Sequence, residues 1–183
     1  MPPPMFAVDP AGFVRGAVLA PSPHHDERPP DTVIDLLVIH NISLPPGEFG
    51  GAAIIDLFSG RLDIAAHPWF SGLAGLRVSA HFLVRRDGEP LQFVGCADRA
   101  WHAGESTWRG RPRCNDYSIG IELEGTDDTP FTDPQYRTLV ALTIALRKVY
   151  PIVDIVGHAD IAPGRKTDPG PHFDWDRYRT SLG

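Results

Sequence analysis

The stretch Val33-Ile34-Asp35-Leu36-Leu37-Val38-Ile39 is a nearly continuous apolar run, broken only by its aspartate. Its length and β-branched content predict a buried central strand. A second stretch, Ser118-Ile119-Gly120-Ile121-Glu122-Leu123-Glu124, alternates, so its apolar residues share one face and its two glutamates the other. Residues 153–156 predict another short strand. Together the three segments predict a sheet at the centre of the protein.

Turn and helix signals surround these strands. Asp87-Gly88 separates two apolar runs, residues 81–84 and 90–94, and predicts a β-hairpin. Thr132-Asp133-Pro134-Gln135 fits a capping box with proline in the first turn, followed by helical spacing of apolar residues. Residues 52–58 predict a second, shorter helix. We therefore expect an α/β fold: a single domain with a central mixed β-sheet flanked by helices.

Composition excludes several classes of protein. The chain has 183 residues, and Lys plus Arg (17) against Asp plus Glu (23) gives a net charge of −6. This balance argues against nucleic acid and against a polybasic membrane surface as partners. No run is long and apolar enough to span a membrane. No exposed apolar run demands a dimer, and we expect a monomer.

The N-terminal region is expected to pack on the rest of the chain. Residues 1–30 predict a strand (13–19) followed by a proline-rich loop (21–30), and residues 31–183 the main domain. The first residues have neither a basic segment nor an unbroken apolar segment, so we do not expect a secretory signal. Cys96 and Cys114 match no disulfide framework or metal knuckle. We expect two reduced thiols in a cytoplasmic protein.

Two histidines stand where predicted strands end. His40 follows the first strand, His158 follows the third, and Asp168 comes ten residues later in the chain. Two imidazoles and one carboxylate, with a fourth position left for water, form a catalytic zinc set. The spacing is long-range, so the residue types alone are a weak signal, and ordinary core histidines at strand ends are the usual alternative.

A zinc hydrolase also needs a general base and an oxyanion donor. Glu122 and Glu124 share a strand face, so that one can point at the metal and the other can support it. Lys166 lies two residues before Asp168, near enough to bring an ammonium to the same centre. A solvated glutamate and a surface lysine are the ordinary alternatives.

Longer motifs around these residues are similar to those of a known enzyme family. The chain resembles the zinc N-acetylmuramoyl-L-alanine amidases, and in particular their cytoplasmic branch, which acts on 1,6-anhydro-muropeptides in cell-wall recycling. The match extends from about residue 33 to residue 176, and the last of its motifs is the most specific. The motifs are Leu37-Val38-Ile39-His40-Asn41, Ser79-Ala80-His81-Phe82, Arg99-Ala100-Trp101-His102-Ala103-Gly104, Cys114-Asn115-Asp116-Tyr117-Ser118-Ile119-Gly120-Ile121-Glu122-Leu123-Glu124-Gly125 and Gly157-His158-Ala159-Asp160-Ile161-Ala162-Pro163-Gly164-Arg165-Lys166-Thr167-Asp168-Pro169-Gly170-Pro171.

The resemblance implies a fold, a reaction and a set of roles. The fold is that of the peptidoglycan-recognition proteins, and the reaction is hydrolysis of the amide between the lactyl group of N-acetylmuramic acid and L-alanine. A muropeptide is the implied partner, Zn²⁺ the implied cofactor, and a link to β-lactamase induction the implied consequence of loss. The implied roles are His40, His158 and Asp168 as zinc ligands, Glu122 as proton acceptor, Lys166 as transition-state stabiliser, and Asn41, Arg77, Trp101 and Arg113 as substrate contacts.

The remaining histidines match no ligand position. We expect His81 and His102 to have structural or orienting roles, for example through a hydrogen bond to a ligand. The others are expected on the surface or in loops: His24, His25, His67 and His172.

Three other functions are weighed against this one. A non-catalytic peptidoglycan-binding module typically lacks a full metal set. A periplasmic amidase that trims intact wall would prefer insoluble sacculi. A hydrolase that uses Glu122 and Glu124 without metal would stay active after chelation.

Overall fold

The structure is a computed structural model that describes residues 6–183. The strands are β1 (Ala7–Val8), β2 (Val14–Arg15), β3 (Val18–Leu19), β4 (His25–Asp26), β5 (Leu36–Ile42), β6 (Phe82–Val84), β7 (Pro90–Gln92), β8 (Arg99–Ala100), β9 (Thr107–Trp108), β10 (Arg111–Pro112), β11 (Ser118–Glu124) and β12 (Asp154–Gly157). The α-helices are α1 (Ala53–Phe58), α2 (Asp133–Arg147), α3 (His158–Ile161) and α4 (Trp175–Leu182), and two 3₁₀ turns cover Pro68–Leu73 and Cys114–Asp116.

Six strands form the central sheet in the order β12-β5-β11-β6-β7-β3. The pairs from β12 to β6 are parallel, β6 and β7 are antiparallel, and β3 runs parallel to β7. The sheet is therefore mixed, and the predicted fold class is confirmed. The hairpin predicted around Asp87-Gly88 is the β6–β7 pair.

Helices cover both faces of this sheet. On one face α2 and α4 bury Leu139 and Tyr178 against Ile121 of the central strand. On the other face α1 packs Ile54 and Phe58 beside residues of β6 and β7. The capping box of α2 is present as predicted, with Thr132 as its N-cap. Within residues 6–183, no helix has both the length and the apolar character needed to cross a bilayer.

Two predicted strands have different bounds in the structure. The first central strand was expected at residues 33–39, but β5 is Leu36–Ile42, because its register with β11 pairs those seven positions. The strand expected at residues 13–19 is divided into β2 and β3. Gly16, with φ of 103°, turns the chain between them, so β2 pairs with β1 and β3 joins the central sheet. The helix α4 carried no sequence signal that we identified.

Arg28 ties the N-terminal segment to the body of the protein. Its guanidinium donates to the backbone carbonyls of Cys96 (3.0 Å), Asn115 (3.1 Å), Asp116 (2.8 Å) and Ser118 (2.8 Å). Burial lowers the pKa of Arg28 to about 10, so the group stays charged at neutral pH. Residues 1–5 of the segment lie outside the described residues.

We expect Arg28→Ala to lower the free energy of unfolding by about 3 kcal/mol, because several buried carbonyls lose a charged donor. Urea denaturation measures this change. Arg61→Ala is the matched control, since Arg61 is exposed and only its Nη2 approaches a carboxylate, Asp56 Oδ1 at 3.8 Å. This variant should change the free energy of unfolding by less than about 0.5 kcal/mol. An Arg28→Ala protein as stable as the control would contradict the proposed anchoring role.

Candidate metal centre

The parallel register of the sheet brings distant residues to one level. In the β5–β11 pair, Glu122 lies directly beside His40. In the β12–β5 pair, Gly157 lies beside Ile39, so His158 follows at the level of His40. The carboxyl ends of parallel strands form the edge where ligand sites of α/β proteins collect. The chain returns to this edge at Asp168, whose carbonyl accepts a hydrogen bond from the backbone N–H of Ala159 at 3.0 Å.

Three side-chain atoms converge there. His40 Nδ1 lies 3.0 Å from His158 Nδ1 and 3.1 Å from Asp168 Oδ2, and His158 Nδ1 lies 3.2 Å from the same oxygen. Both histidines are buried, and the aspartate is half-buried. Burial alone would raise the pKa of Asp168, but hydrogen bonds from the two imidazoles, when these carry a proton at Nδ1, outweigh burial and hold that pKa below its usual range. The cluster thus consists of one carboxylate and two imidazoles.

The opposite edge of each imidazole is also occupied. His158 Nε2 donates to the carbonyl of Ala103 at 3.0 Å, which leaves Nδ1 of a neutral His158 as a bare lone pair. His40 Nε2 lies 2.8 Å from His102 Nδ1, and His102 Nε2 lies 3.1 Å from Ser118 Oγ. The predicted orienting role of His102 therefore has a geometric basis.

Gly120 makes room for His102. A Cβ atom at Gly120 would lie 2.5 Å from Cγ of the His102 ring, so any side chain there would displace the imidazole. Burial holds the pKa of His102 well below its usual value, and the neighbouring imidazoles lower it further. A neutral His102 can accept a hydrogen bond at Nδ1 and donate one at Nε2 to Ser118.

This donor set fits a metal ion. With His102 accepting from His40 Nε2–H, the two ligand-side Nδ1 atoms and the carboxylate oxygen are three lone-pair donors facing one another at 3.0–3.2 Å. Such an arrangement is repulsive unless a cation lies between the donors. Two imidazole nitrogens and one carboxylate oxygen are typical ligands of Zn²⁺.

Glu122 is placed to accept a proton beside these donors. Glu122 is 8% exposed, and its Oε2 is buried with no hydrogen-bond partner among residues 6–183. Burial raises the pKa of Glu122 well above its usual value, the Asp168 carboxylate raises it further, and the Lys166 ammonium opposes both. A buried carboxylate without a protein partner, facing the cluster, is suited to bonding a water or a substrate group there.

A cleft of about 610 Å³ opens over the cluster. Its lining includes the three cluster residues, Glu122 and Lys166, together with apolar side chains such as Trp69 and Leu76. Cavities of this size hold small-molecule ligands. The exposed Lys166 side chain provides a cation at the wall of the cleft.

The predicted substrate contacts do not all line this cleft. Asn41 and Trp101 line it, and Asn41 Nδ2 donates to Asp127 Oδ1 at 2.7 Å. The Arg77 guanidinium lies 5.8 Å from the Trp101 ring centroid and lines a smaller adjoining cavity. Arg113 lies outside the lining, with Nε donating to Asp116 at 2.9 Å.

The structure gives two side chains contacts that the sequence did not predict. Glu124 does not support Glu122: its Oε1 accepts from the backbone N–H of Gly50 at 2.6 Å and its Oε2 from that of Arg86 at 3.2 Å, so it fastens the loop before α1. His24 lies in a loop, as expected, but it is buried there, because its Nδ1 contacts the Val78 carbonyl at 2.9 Å and its ring stacks on Trp101.

Sequence reasoning also missed two residues that hold parts of the site. Asn115 binds the backbone amides of His102 and Ala103, and Asp26 accepts a hydrogen bond from the Trp101 indole. In the sequence both are ordinary polar residues, and only these partners in the fold give them a role. For Asn115 the available signal was its place inside a quoted motif, three residues before β11.

Known proteins resemble this chain over most of its length. The profile of the N-acetylmuramoyl-L-alanine amidase family matches residues 30–171. The chain is 60% identical over 173 residues to the 1,6-anhydro-N-acetylmuramyl-L-alanine amidase AmpD of Escherichia coli, which covers 93% of this chain and 94% of that protein.

Solved structures show the same fold. A crystal structure of an AmpD derivative superposes with a TM-score of 0.94 at 58% identity, covering 96% of this chain and 99% of that one. The amidase AmiD from E. coli, solved with anhydro-N-acetylmuramic acid-L-Ala-D-gamma-Glu-L-Lys, superposes with a TM-score of 0.60 at 31% identity, covering 95% of this chain and 65% of that one.

We expect the purified protein to bind one divalent ion per chain, and Asp168→Ala to lose it, because two neutral imidazoles alone hold zinc weakly. Elemental analysis after gel filtration measures the bound metal. Asp127→Ala is the matched control: Asp127 also lines the cleft but lies outside the cluster, so this variant should keep the ion. An Asp168→Ala protein that retains one equivalent of metal would refute the ligand assignment.

Proposed function

The chain belongs to the N-acetylmuramoyl-L-alanine amidase family, and from this premise we propose that it hydrolyses the amide joining 1,6-anhydro-N-acetylmuramic acid to L-alanine of muropeptides, in peptidoglycan recycling. The finer substrate is supported by the relative at 60% identity, which is named for this reaction. The observation that carries the proposal is the cluster of His40, His158 and Asp168 in the lining of a cleft. Beside it lies Glu122, whose Oε2 has no hydrogen-bond partner within the described part of the chain.

We assign the metal as zinc, held by His40, His158 and Asp168. When bound, zinc supplies a Lewis acid that polarises the amide carbonyl and activates water at neutral pH. Two histidines and one carboxylate are also the ligands of non-haem iron oxygenases. The neighbouring Glu122 favours zinc, because a base beside an open metal position serves hydrolysis without any redox step.

The side chains of the cleft provide proton transfer and charge stabilisation. Glu122 takes a proton from the attacking water and returns it to the leaving amine of L-alanine, which frees the peptide. Lys166 provides an ammonium for the negative charge that develops on the carbonyl oxygen. The raised pKa of Glu122 suits this double use, since the group must both gain and lose a proton near neutral pH.

Substrate recognition is assigned to the walls of the cleft. We propose that Trp101 presents its aromatic face to the sugar and that Asn41, Arg77 and Arg113 bind polar groups of the stem peptide. For Arg113, this role requires that its side chain reach the substrate from outside the cleft lining.

We also propose a cellular setting. Cys96 and Cys114 are buried and unpaired, as expected in a reducing compartment, so we place the reaction in the cytoplasm. We expect the protein to act as a monomer, in which residues 1–30 pack on an amidase domain of residues 31–183. Loss of the activity would let anhydro-muropeptides accumulate, which links the protein to β-lactamase induction.

The test of this function is product identification. A defined anhydro-muropeptide should yield free 1,6-anhydro-N-acetylmuramic acid and a peptide that begins with L-alanine, both assigned by mass spectrometry. Chelation should abolish turnover and added zinc should restore it. Glu122→Gln is the control for background hydrolysis, because it keeps the side-chain volume and removes the base. Faster turnover of insoluble sacculi would favour a wall-trimming amidase, and turnover that survives chelation would exclude the metal mechanism.

We expect Lys166→Ala to lower kcat by roughly 10²–10³ while zinc content is unchanged, because the developing oxyanion loses its cation. Lys148→Ala is the control, since Lys148 is exposed at the end of α2, remote from the cleft lining. Steady-state kinetics on the anhydro-muropeptide measure the effect. A Lys166→Ala enzyme with wild-type kcat would reject the stabilising role.

A further inference from the structure

A single amide oxygen holds the segment that contacts both histidines of the cluster. Asn115 Oδ1 accepts hydrogen bonds from the backbone N–H of His102 at 3.1 Å and from that of Ala103 at 2.8 Å. Among the described residues, no other side chain accepts from these two amides. The peptide between His102 and Ala103 is therefore oriented by one side chain.

Each residue of this dipeptide contacts a different histidine of the cluster. The His102 imidazole lies 2.8 Å from His40 Nε2, and the Ala103 carbonyl accepts from His158 Nε2 at 3.0 Å. These contacts lie on the far side of each ring from the cluster, so they decide where each Nδ1 points. Groups that bind the outer nitrogen of a ligand histidine fix both its tautomer and its ring orientation.

Asn115 is itself held from outside the site. Its backbone carbonyl accepts from Arg28 at 3.1 Å, and the adjacent Asp116 carbonyl accepts from the same guanidinium at 2.8 Å. Asn115 makes no hydrogen bond to any of the three cluster residues. The Ala103 carbonyl has a second donor, Arg165 Nη2 at 2.7 Å, which also donates to the Glu105 carbonyl at 2.6 Å. Arg165 therefore holds the carbonyl oxygen but does not contact the two amides that Asn115 binds.

We propose that Asn115 is a positioning residue for both histidine ligands: its amide oxygen fixes the His102–Ala103 dipeptide, and the dipeptide presents both Nδ1 atoms to the metal. The inference rests on the proposed function in one respect, the ion that these atoms hold. It adds a residue that neither hydrogen-bonds the three cluster residues nor lines the cleft, and yet sets the affinity for the metal.

Asn115→Ala and Asn115→Asp distinguish this role from a general structural one. Asp keeps an oxygen at the accepting position, and the Asn115 Nδ2 it replaces makes no hydrogen bond within residues 6–183. The Ala variant removes the acceptor. We expect Asn115→Ala to bind zinc about 10- to 100-fold more weakly than wild type, and Asn115→Asp to bind it close to wild-type affinity.

Zinc affinity is measured on the full-length protein by competition with a chromophoric chelator, well below the melting temperature of each variant. Histidine ¹H–¹⁵N spectra of the zinc-free proteins provide a second readout. Wild type and Asn115→Asp should show His158 protonated at Nε2, whereas Asn115→Ala should show mixed tautomers.

Unchanged zinc affinity and an unchanged His158 tautomer in Asn115→Ala would overturn the inference and leave the proposed function intact. A wild-type protein that binds no zinc would instead overturn the metal assignment, and the inference with it. A lower melting temperature with unchanged zinc affinity also counts against the inference, because a merely structural residue would behave that way.

Discussion

The register between β5 and its two parallel neighbours is the constraint on which the site depends. It sets Glu122 beside His40 and brings His158 to the same level from β12. Because side chains alternate along a strand, a slip of one residue would turn His40 into the opposite layer. The register is held by apolar burial, since Leu37 and Ile121 are 0% exposed on the face that α2 covers. Hydrophobic patterning on one face of the sheet thus fixes the chemistry on the other.

The convergence of His40, His158 and Asp168 also explains why polar groups bind the outer nitrogens of both histidines. Three converging lone-pair donors destabilise a folded chain, because burial of polar atoms without partners is unfavourable. The outer nitrogens of both histidines are fully used, by Ala103 and by His102, so neither ring can rotate to relieve the repulsion without breaking a hydrogen bond. The fold therefore holds the donors in place before a cation arrives, and the affinity for the ion offsets the cost of that preorganisation.

Local signals in the sequence predict the helices and strands, but they do not predict which remote segments these elements contact. The capping box at Thr132 and the alternation of β11 depend on neighbouring residues, and both are present as predicted. The pairing of β3 with β7 and the position of Glu124 against Gly50 depend on contacts between remote segments, which no periodicity encodes. His40, His158 and Asp168 could be proposed as a set because strand ends and a family resemblance both pointed to them. The role of Asn115 could not, because its partners are backbone amides whose positions the fold alone determines.

The N-terminal segment supports one side chain of the cleft wall, although none of its described residues lines the cleft. Asp26 accepts from Trp101 Nε1 at 2.9 Å and from Arg99 Nε at 2.7 Å, and the Arg99 hydrogen bond is the main reason that the pKa of Asp26 is lowered. Arg99 continues to Asp116 at 2.6 Å, whose other oxygen accepts from Arg113. A series of hydrogen-bonded charged side chains thus connects the Trp101 indole, which lines the cleft, with Arg113, which lies outside the lining. Since Asp26 lies within the first thirty residues, a protein lacking them would keep the three cluster residues yet lose the group that fixes the Trp101 ring. The segment therefore acts on the cleft indirectly, by fixing the orientation of Trp101 through Asp26.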